Sequence, residues 1–546
     1  MALTLVIGAL VGLAVVAFIL LTERLGARLY PVGGAAWRRL LVPVAGSLGA
    51  GYLLYRYAPD ARGSGVPQTK AALFARGGRI TLGTVLGKFF FTSATLAAGI
   101  PLGREGPAVQ VGAGVASVLG RALGLSREKV KALIPVGGAA AIAAAFNAPL
   151  AAVLFALEEL VGDLHAPVLG SVVLSAATAW MVMRLFLGNE PLFHAPQYQF
   201  VNPIEFIVYA VLGLIGGIVS LVFVKSLLRM RLWFLGLPKW SVWFQPVAGG
   251  VLVGILGWFV PQVLGVGYGY VGDALNGKVG LELMALLVLL KLITVVTSYS
   301  SGNAGGIFGP SLFIGAMAGG ALGSIAHHFL PIYTATPGAY ALVGMGALFA
   351  GIVRAPMTSV IMIFEVTHDY AVIVPLMIAN LVSFYISRRF QHEPIYDALA
   401  LQDGIHLAGA ETRAAAARFR VSHAMRESGE ILRSDETIAQ ALDRARVSEF
   451  RSWPVVDDRG VFGVVSLEFL QDAQSENAGD KPLDEVLERK PFPHLHDDQS
   501  LDLALQRLGQ NNLDVIPVVS RANVRELVGV VTLRDILKKY GVDRTH

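Results

Sequence analysis

Apolar runs follow one another through the first 400 residues with little polar punctuation. They are Ala2–Leu21, Leu40–Leu54, Ile80–Ala98, Pro107–Leu119, Ala132–Leu160, Val168–Leu187, Pro203–Leu227, Phe244–Leu264, Leu281–Val296, Pro310–Leu330, Ala339–Val353, Pro356–Val366 and Ala371–Ile386. A straight helix needs about 20 apolar residues to cross a bilayer, and several of these runs are shorter. Many are broken by Gly and Pro, and the chain holds 61 Gly. Broken helices persist at membrane depth only where the freed backbone is buried or lines a cavity. The pattern predicts an all-α polytopic membrane domain over residues 1–400, made of short, interrupted helices as in transporters. The first run has no basic segment before it and no clear cleavage site after it. It reads as a membrane helix and not as a signal peptide.

The pattern repeats within this domain. Gly106-Pro107 leading to Gly112 matches Gly309-Pro310 leading to Gly315. Asn147-Ala148-Pro149 matches Arg354-Ala355-Pro356, and Glu158 and Glu365 each follow nine residues after their proline. Two halves with matching breaks predict a pseudo-two-fold architecture with the substrate site between them. Chance likeness between Ala/Gly-rich helices is the competing reading.

After residue 400 the periodicity changes. An Ala-rich linker is expected at 401–420. Then Pro454-Val455-Val456-Asp457 leads into Gly463-Val464-Val465-Ser466, and Pro517-Val518-Val519-Ser520 leads into Gly529-Val530-Val531-Thr532. Each copy reads as strand, turn, strand, helix. An amphipathic helix precedes each, at Ile438–Arg446 and Leu501–Leu508. An α/β tail is expected, with copies at 421–475 and 485–541.

Composition sharpens the division. The chain is 54% hydrophobic with mean hydropathy +0.60. Roughly 40 charged residues fall in 1–400 and roughly 43 in the last 146. The net charge of +5 comes from the membrane half, as cytoplasmic loops rich in Lys and Arg would give. Six of the seven Trp lie there, several beside charges, like interfacial anchors. No basic run is interleaved with aromatics, which argues against nucleic acid as a partner. There is no Cys, so disulfides, thiolate catalysis and Cys-metal sites are excluded. No His-Glu-x-x-His occurs, against an intramembrane metalloprotease. Intramembrane acids are too few for a divalent-cation transporter. No enzyme activity is indicated.

The chemistry concentrates in three breaks: Gly63-Ser64-Gly65-Val66-Pro67, Gly103-Arg104-Glu105-Gly106-Pro107 and Gly305-Gly306-Ile307-Phe308-Gly309-Pro310. A charged side chain near the bilayer centre costs roughly 2.5–3.5 kcal/mol by insertion scales, so Arg104 and Glu105 point to function. Alone, their stretch reads equally as a polar turn at the membrane surface. Glycine exposes backbone N–H groups, and proline suits the first helical turn. Each following helix directs about +0.5 charge at its own start. Convergence of three such ends would replace part of an anion's hydration shell.

These motifs resemble the CLC chloride channels and transporters over roughly residues 1–400. A tyrosine after the last membrane helix completes the likeness, as Tyr396 in Glu393-Pro394-Ile395-Tyr396. The resemblance implies two inverted repeats of broken, tilted helices, a homodimer and one pore per subunit. It implies that Ser64 and Tyr396 hold a central chloride with the backbone N–H groups of Ile307 and Phe308. Backbone from Arg104 to Gly106 would form an outer site, with Glu105 as a protonatable gate competing for it. Burial and the helix dipole act on that proton in opposite senses. Glu159, second of the pair Glu158-Glu159, matches the exchanger form and would relay protons; by itself it reads as a helix-end carboxylate. Chloride and protons are then the substrates and no cofactor is required. A passive voltage- or pH-gated chloride channel is the alternative, and a CBS-containing divalent-cation transporter a more remote one. Ser64, where nitrate-preferring members tend to have proline, points to chloride, and the alterations of fluoride exporters are lacking.

The tail resembles a pair of cytoplasmic CBS domains, which bind adenine nucleotides, with a Gly-x-x-Thr-x-x-Asp holding the ribose. The second copy keeps Gly529, Thr532 and Asp535, whereas the first has Ser466 but Phe469 in place of the Asp. The resemblance implies at most one complete site, for an adenine nucleotide or cyclic dinucleotide. A structural dimerisation module is the other reading.

Overall fold

The computed structural model describes residues 1–164, 167–188, 192–193, 198, 201–405, 407, 419–426, 430–488 and 490–540. The chain divides into two compact units, Met1–Leu407 and Ala408–His546. Most of the linker expected at 401–420 lies outside the described residues.

Among the described residues, the named elements of the first unit are all helices. Its first half runs α1 (Ala2–Leu29), α2 (Trp37–Tyr57), α3 (Val66–Phe74), α4 (Leu82–Ala97), α5 (Glu105–Ala122), α6 (Arg127–Phe146), α7 (Pro149–Phe155) and α8 (Leu169–Leu187). The second runs α9 (Glu205–Leu235), α10 (Pro246–Phe259), α11 (Tyr268–Leu275), α12 (Leu281–Ser300), α13 (Phe308–Phe329), α14 (Pro337–Val353), α15 (Pro356–Thr367) and α16 (Ile373–Phe390), with α17 (Ile395–Gln402) after it. Among the described residues, seven helical spans are long and apolar enough to cross a membrane, with shorter apolar helices between them. The chain is an integral membrane protein built of two inverted repeats, α1–α8 and α9–α16.

The repeats pack alike. α6 and α14 lie at the centre, and every residue of α14 from Gly338 to Val353 is buried. Gly112 of α5 meets Gly137 of α6 backbone to backbone, and Gly315 of α13 meets Gly344 of α14. Small residues permit such contact, which drives helix association where lipid offers no hydrophobic contrast. That accounts for the repeated Gly112 and Gly315. The run Ala132–Leu160 is two helices and not one: Asn147 caps α6 at φ +57°, as Arg354 caps α14 at φ +66°. Glu158 and Glu365 tie the halves together. Glu158 accepts from Thr358 N at 2.8 Å and Thr358 Oγ1 at 2.7 Å, at the start of α15. Glu365 accepts from Leu150 N at 2.9 Å and Ala151 N at 2.7 Å, at the start of α7. Each repeat thus supplies the carboxylate that caps the other's broken helix.

The second unit contains the two expected copies of strand, turn and strand. β1 (Leu432–Arg433) pairs parallel with β2 (Ser452–Asp457), which pairs antiparallel with β3 (Gly460–Ser466). β4 (Val515–Val519) pairs antiparallel with β5 (Leu527–Thr532). A register shift falls at Val455/Val456 in one hairpin and at Val518/Val519 in the other. Helices at Ile438–Val447 and Leu501–Gln510 precede the hairpins. The copies join through Ser452, whose Oγ accepts from Val515 N at 3.0 Å.

Candidate functional site

The three breaks meet, and a fourth joins them. Gly65, before α3, holds φ +105°, a conformation open to glycine without strain. A Cβ on Gly106 would stand 2.6 Å from the carbonyl oxygen of Ser64 and 2.7 Å from its Oγ, so only a bare backbone fits there. Gly103 N donates to Gly306 O at 2.6 Å, and Gly306 N donates to Gly103 O at 2.7 Å. This bridge joins equivalent residues of the two repeats, so their local two-fold axis passes between them. The first N–H groups of α3, α5 and α13 lack intrahelical acceptors, and their dipoles make the junction a place for an anion.

Ser64, Glu105, Ile307 and Tyr396 are fully buried, and Phe308 nearly so. The hydroxyls of Ser64 and Tyr396 are neighbours. Neither has a hydrogen-bond partner among the described residues. An unpaired buried hydroxyl costs about 1–3 kcal/mol. Two such donors beside the start of α13 suit an anion. The ring of Phe308 is wedged between Phe146 at 4.7 Å and Phe349 at 4.3 Å, with Phe155 at 5.8 Å. Phe146 is the last residue of α6, and Phe349 lies one turn before the end of α14.

Glu105 begins α5. Its Oε1 accepts a hydrogen bond from the hydroxyl of Tyr268. Its Oε2 is buried between the backbones of Gly103 and Gly309. Arg104 stacks over the Tyr268 ring at 5.7 Å and pairs with Glu23 at 3.2 Å. Tyr268 opens α11 after Gly265-Val266-Gly267, where both glycines have positive φ. This fourth break is the second-repeat counterpart of Gly63-Ser64-Gly65. Two buried lysines fix the pair of loops. Lys88 Nζ donates to Ala61 O at 3.0 Å and Gly63 O at 2.5 Å. Lys291 Nζ donates to Val263 O at 3.1 Å and Gly265 O at 2.6 Å.

Glu159 lies in the π-helical turn Ala156–Val161 that prolongs α7. Lys70 of α3 pairs with it at 2.8 Å and pairs also with Asp397, the residue after Tyr396. The Lys70 side chain is 4% exposed and that of Glu159 7%, so these are buried charges. Tyr396 is within electrostatic reach of both Glu105 and Glu159. Two cavities flank the junction. One of about 670 Å³ is lined by Glu23, Arg38, Arg39, Arg104 and Tyr268. The other, of about 360 Å³, is lined by Arg62, Gly63, Arg231, Tyr299 and Asp403.

In the tail, Thr532 caps the helix Leu533–Lys539, accepting from Asp535 N at 3.0 Å and donating to Asp535 Oδ2 at 2.7 Å. Asp535 also pairs with Arg426 at 2.6 Å. That hydrogen bond raises the pKa of the Arg426 guanidinium.

The family model described as voltage gated chloride channel matches residues 46–388, and that of the CBS domain matches residues 483–541. The chain belongs to the CLC family. It is 34% identical over 358 residues to the H(+)/Cl(-) exchange transporter ClcA of Vibrio campbellii, covering 64% of this chain and 76% of that protein. The crystal structure of a slow cyanobacterial Cl-/H+ antiporter is similar with TM-score 0.68 and 27% identity, over 74% of this chain and 97% of that one. A eukaryotic CLC transporter shares the fold at TM-score 0.63 and 20% identity, over 98% and 97% of the two chains.

Within this CLC chain the structure brings together Ser64, Arg104, Glu105, Gly106, Ile307, Phe308 and Tyr396 at one junction. Sequence reasoning missed Tyr268, Lys70, Asp397, Lys88 and Lys291. The first had a detectable signal: Gly265-Val266-Gly267 follows Gly63-Ser64-Gly65 at nearly the interval separating Pro310 from Pro107. Lys70 is a lone cation in a short apolar helix, and its partners are distant in sequence.

Proposed function

We propose that this CLC chain exchanges chloride for protons across the membrane. The observation that carries the reading is the meeting of three helix amino ends at two buried, unpartnered hydroxyls, with a carboxylate at the edge. Chloride occupies the centre, held by the hydroxyls of Ser64 and Tyr396 and the N–H groups of Ile307 and Phe308. A second position lies against backbone from Arg104 to Gly106. Glu105 contests it: ionised, its carboxylate takes the anion's place; protonated, it withdraws and chloride enters. Glu159 passes protons between the cytoplasm and Glu105. The Lys70 triad supports that role. When Glu159 gives up its charge, Asp397 stays with Lys70, so the ammonium is never left alone. The name of the Vibrio relative supports exchange. The transporter comprises residues 1–400 and works as a homodimer in lipid, one pore per subunit.

The test is a proteoliposome assay following chloride and pH together. A chloride gradient drives protons uphill in the wild type. In Glu159→Gln, chloride flux continues and uphill proton movement is lost. A wild type whose chloride flux never moves protons replaces exchange with a passive channel.

The cytoplasmic tail, with CBS modules at 421–475 and 485–541, binds an adenine nucleotide through Thr532 and Asp535. Because Asp535 already pairs with Arg426, ribose must displace a salt bridge, and the affinity is correspondingly modest. Titration calorimetry of the full-length protein with ATP or AMP gives a heat that Asp535→Ala abolishes. Absence of heat with ATP, AMP and a cyclic dinucleotide leaves the tail a structural module.

A further inference from the structure

The two break loops are copies of one device put to different uses. In the first repeat the loop anchored by Lys88 presents the Ser64 hydroxyl to the central anion position. In the second repeat the loop anchored by Lys291 starts α11 with Tyr268, whose hydroxyl donates to Glu105 Oε1. We propose that Tyr268 is a latch on the Glu105 gate, a positioning residue that holds the carboxylate in the outer site and sets how often it leaves. The inference rests on the exchange reading above.

Three features argue for a latch and against simple packing. First, the start of α13 lies against Glu105 Oε2 and is also the end assigned to the anion, whereas the phenol bonds only to Oε1 of the carboxylate. Second, the phenol is fixed from behind. Its ring sits edge-on to Phe193 at 5.6 Å, and the Arg104 guanidinium covers it. Third, Tyr268 and Arg104 both line the 670 Å³ cavity, so the residue that donates to Glu105 borders open space on its other side. Among the described residues, four charged or titratable groups face the pair. Arg104 comes from the start of α5, Glu23 from α1 through its pairing with Arg104, Lys291 from α12 beneath Gly267, and Tyr396 from α17.

A hydrogen bond to an ionised group is about twice as strong as a neutral one. Removing it therefore weakens the hold on the ionised carboxylate, so Glu105 takes up its proton and withdraws more readily; once Glu105 is protonated and has left the outer site, the donor has nothing to hold. Tyr268→Phe keeps the ring and deletes only the donor. In proteoliposomes it raises exchange turnover three- to tenfold at alkaline pH, and the gain shrinks to nothing as the pH falls. In a Glu105→Gln background the same substitution changes chloride flux less than twofold, because the donor's charged partner is gone. Turnover of Tyr268→Phe that is unchanged or reduced at alkaline pH overturns the latch. So does an equal gain in the Glu105→Gln background, which would mark a packing effect. The parent reading fails differently: Glu105→Gln would still carry protons.

Discussion

With Glu105 as the proposed gate, Glu105→Gln protein is expected to conduct chloride but carry no protons. Glutamine has nearly the shape of a protonated glutamate and cannot shed a proton, so on this reading the proposed outer site would lose its built-in competitor for good. The start of α5 and the start of α13 keep their free N–H groups, because the Gly103–Gly306 bridge is a backbone contact that the substitution leaves intact. Chloride flux should stay within a few-fold of wild type, while proton flux falls below detection, at least a hundredfold. Simultaneous chloride-electrode and pH recordings read both. Persisting uphill proton movement would remove Glu105 from the proton path. Loss of both fluxes in a well-folded protein would show that the carboxylate does more than compete.

Lys70→Met should cost more stability than any other single change at the site. Lys70 is 4% exposed and holds two carboxylates, Glu159 and Asp397. Removing one member of a buried ion pair costs about 3–5 kcal/mol, since the charge left behind has neither water nor partner. Thermal unfolding in detergent should show melting many degrees below wild type. Adding Asp397→Asn to Lys70→Met should restore part of the loss. Glu159→Gln alone should melt close to wild type, because Asp397 remains with Lys70. Wild-type melting of Lys70→Met would mean that the triad holds no stability, and with it would go the account of how Glu159 changes charge cheaply.

Much of the site is legible in the chain because it is made of backbone. A helix start needs glycine for bare N–H groups and proline for its first turn, and those residue types announce themselves in order along the sequence. The same holds for the repeat, where Gly112 and Gly315 mark positions at which helices touch backbone to backbone. Side-chain partnerships are less legible. Lys70 stands in the sequence as a single cation in an apolar helix. Glu158 and Glu365 stand as two acids at matching distances from a proline, with no hint that each caps the other repeat's helix.

By itself the sequence determined the membrane domain, its internal duplication, the three motif breaks and the separate tail. These are set by local composition and spacing, which fix where a backbone can be helical and where it must open. The tertiary structure alone decided which carboxylate meets which donor. Tyr268 reaches Glu105 across 163 residues and Glu158 reaches Thr358 across 200. Such pairings arise from the inversion of one repeat against the other, and no period within either repeat encodes them.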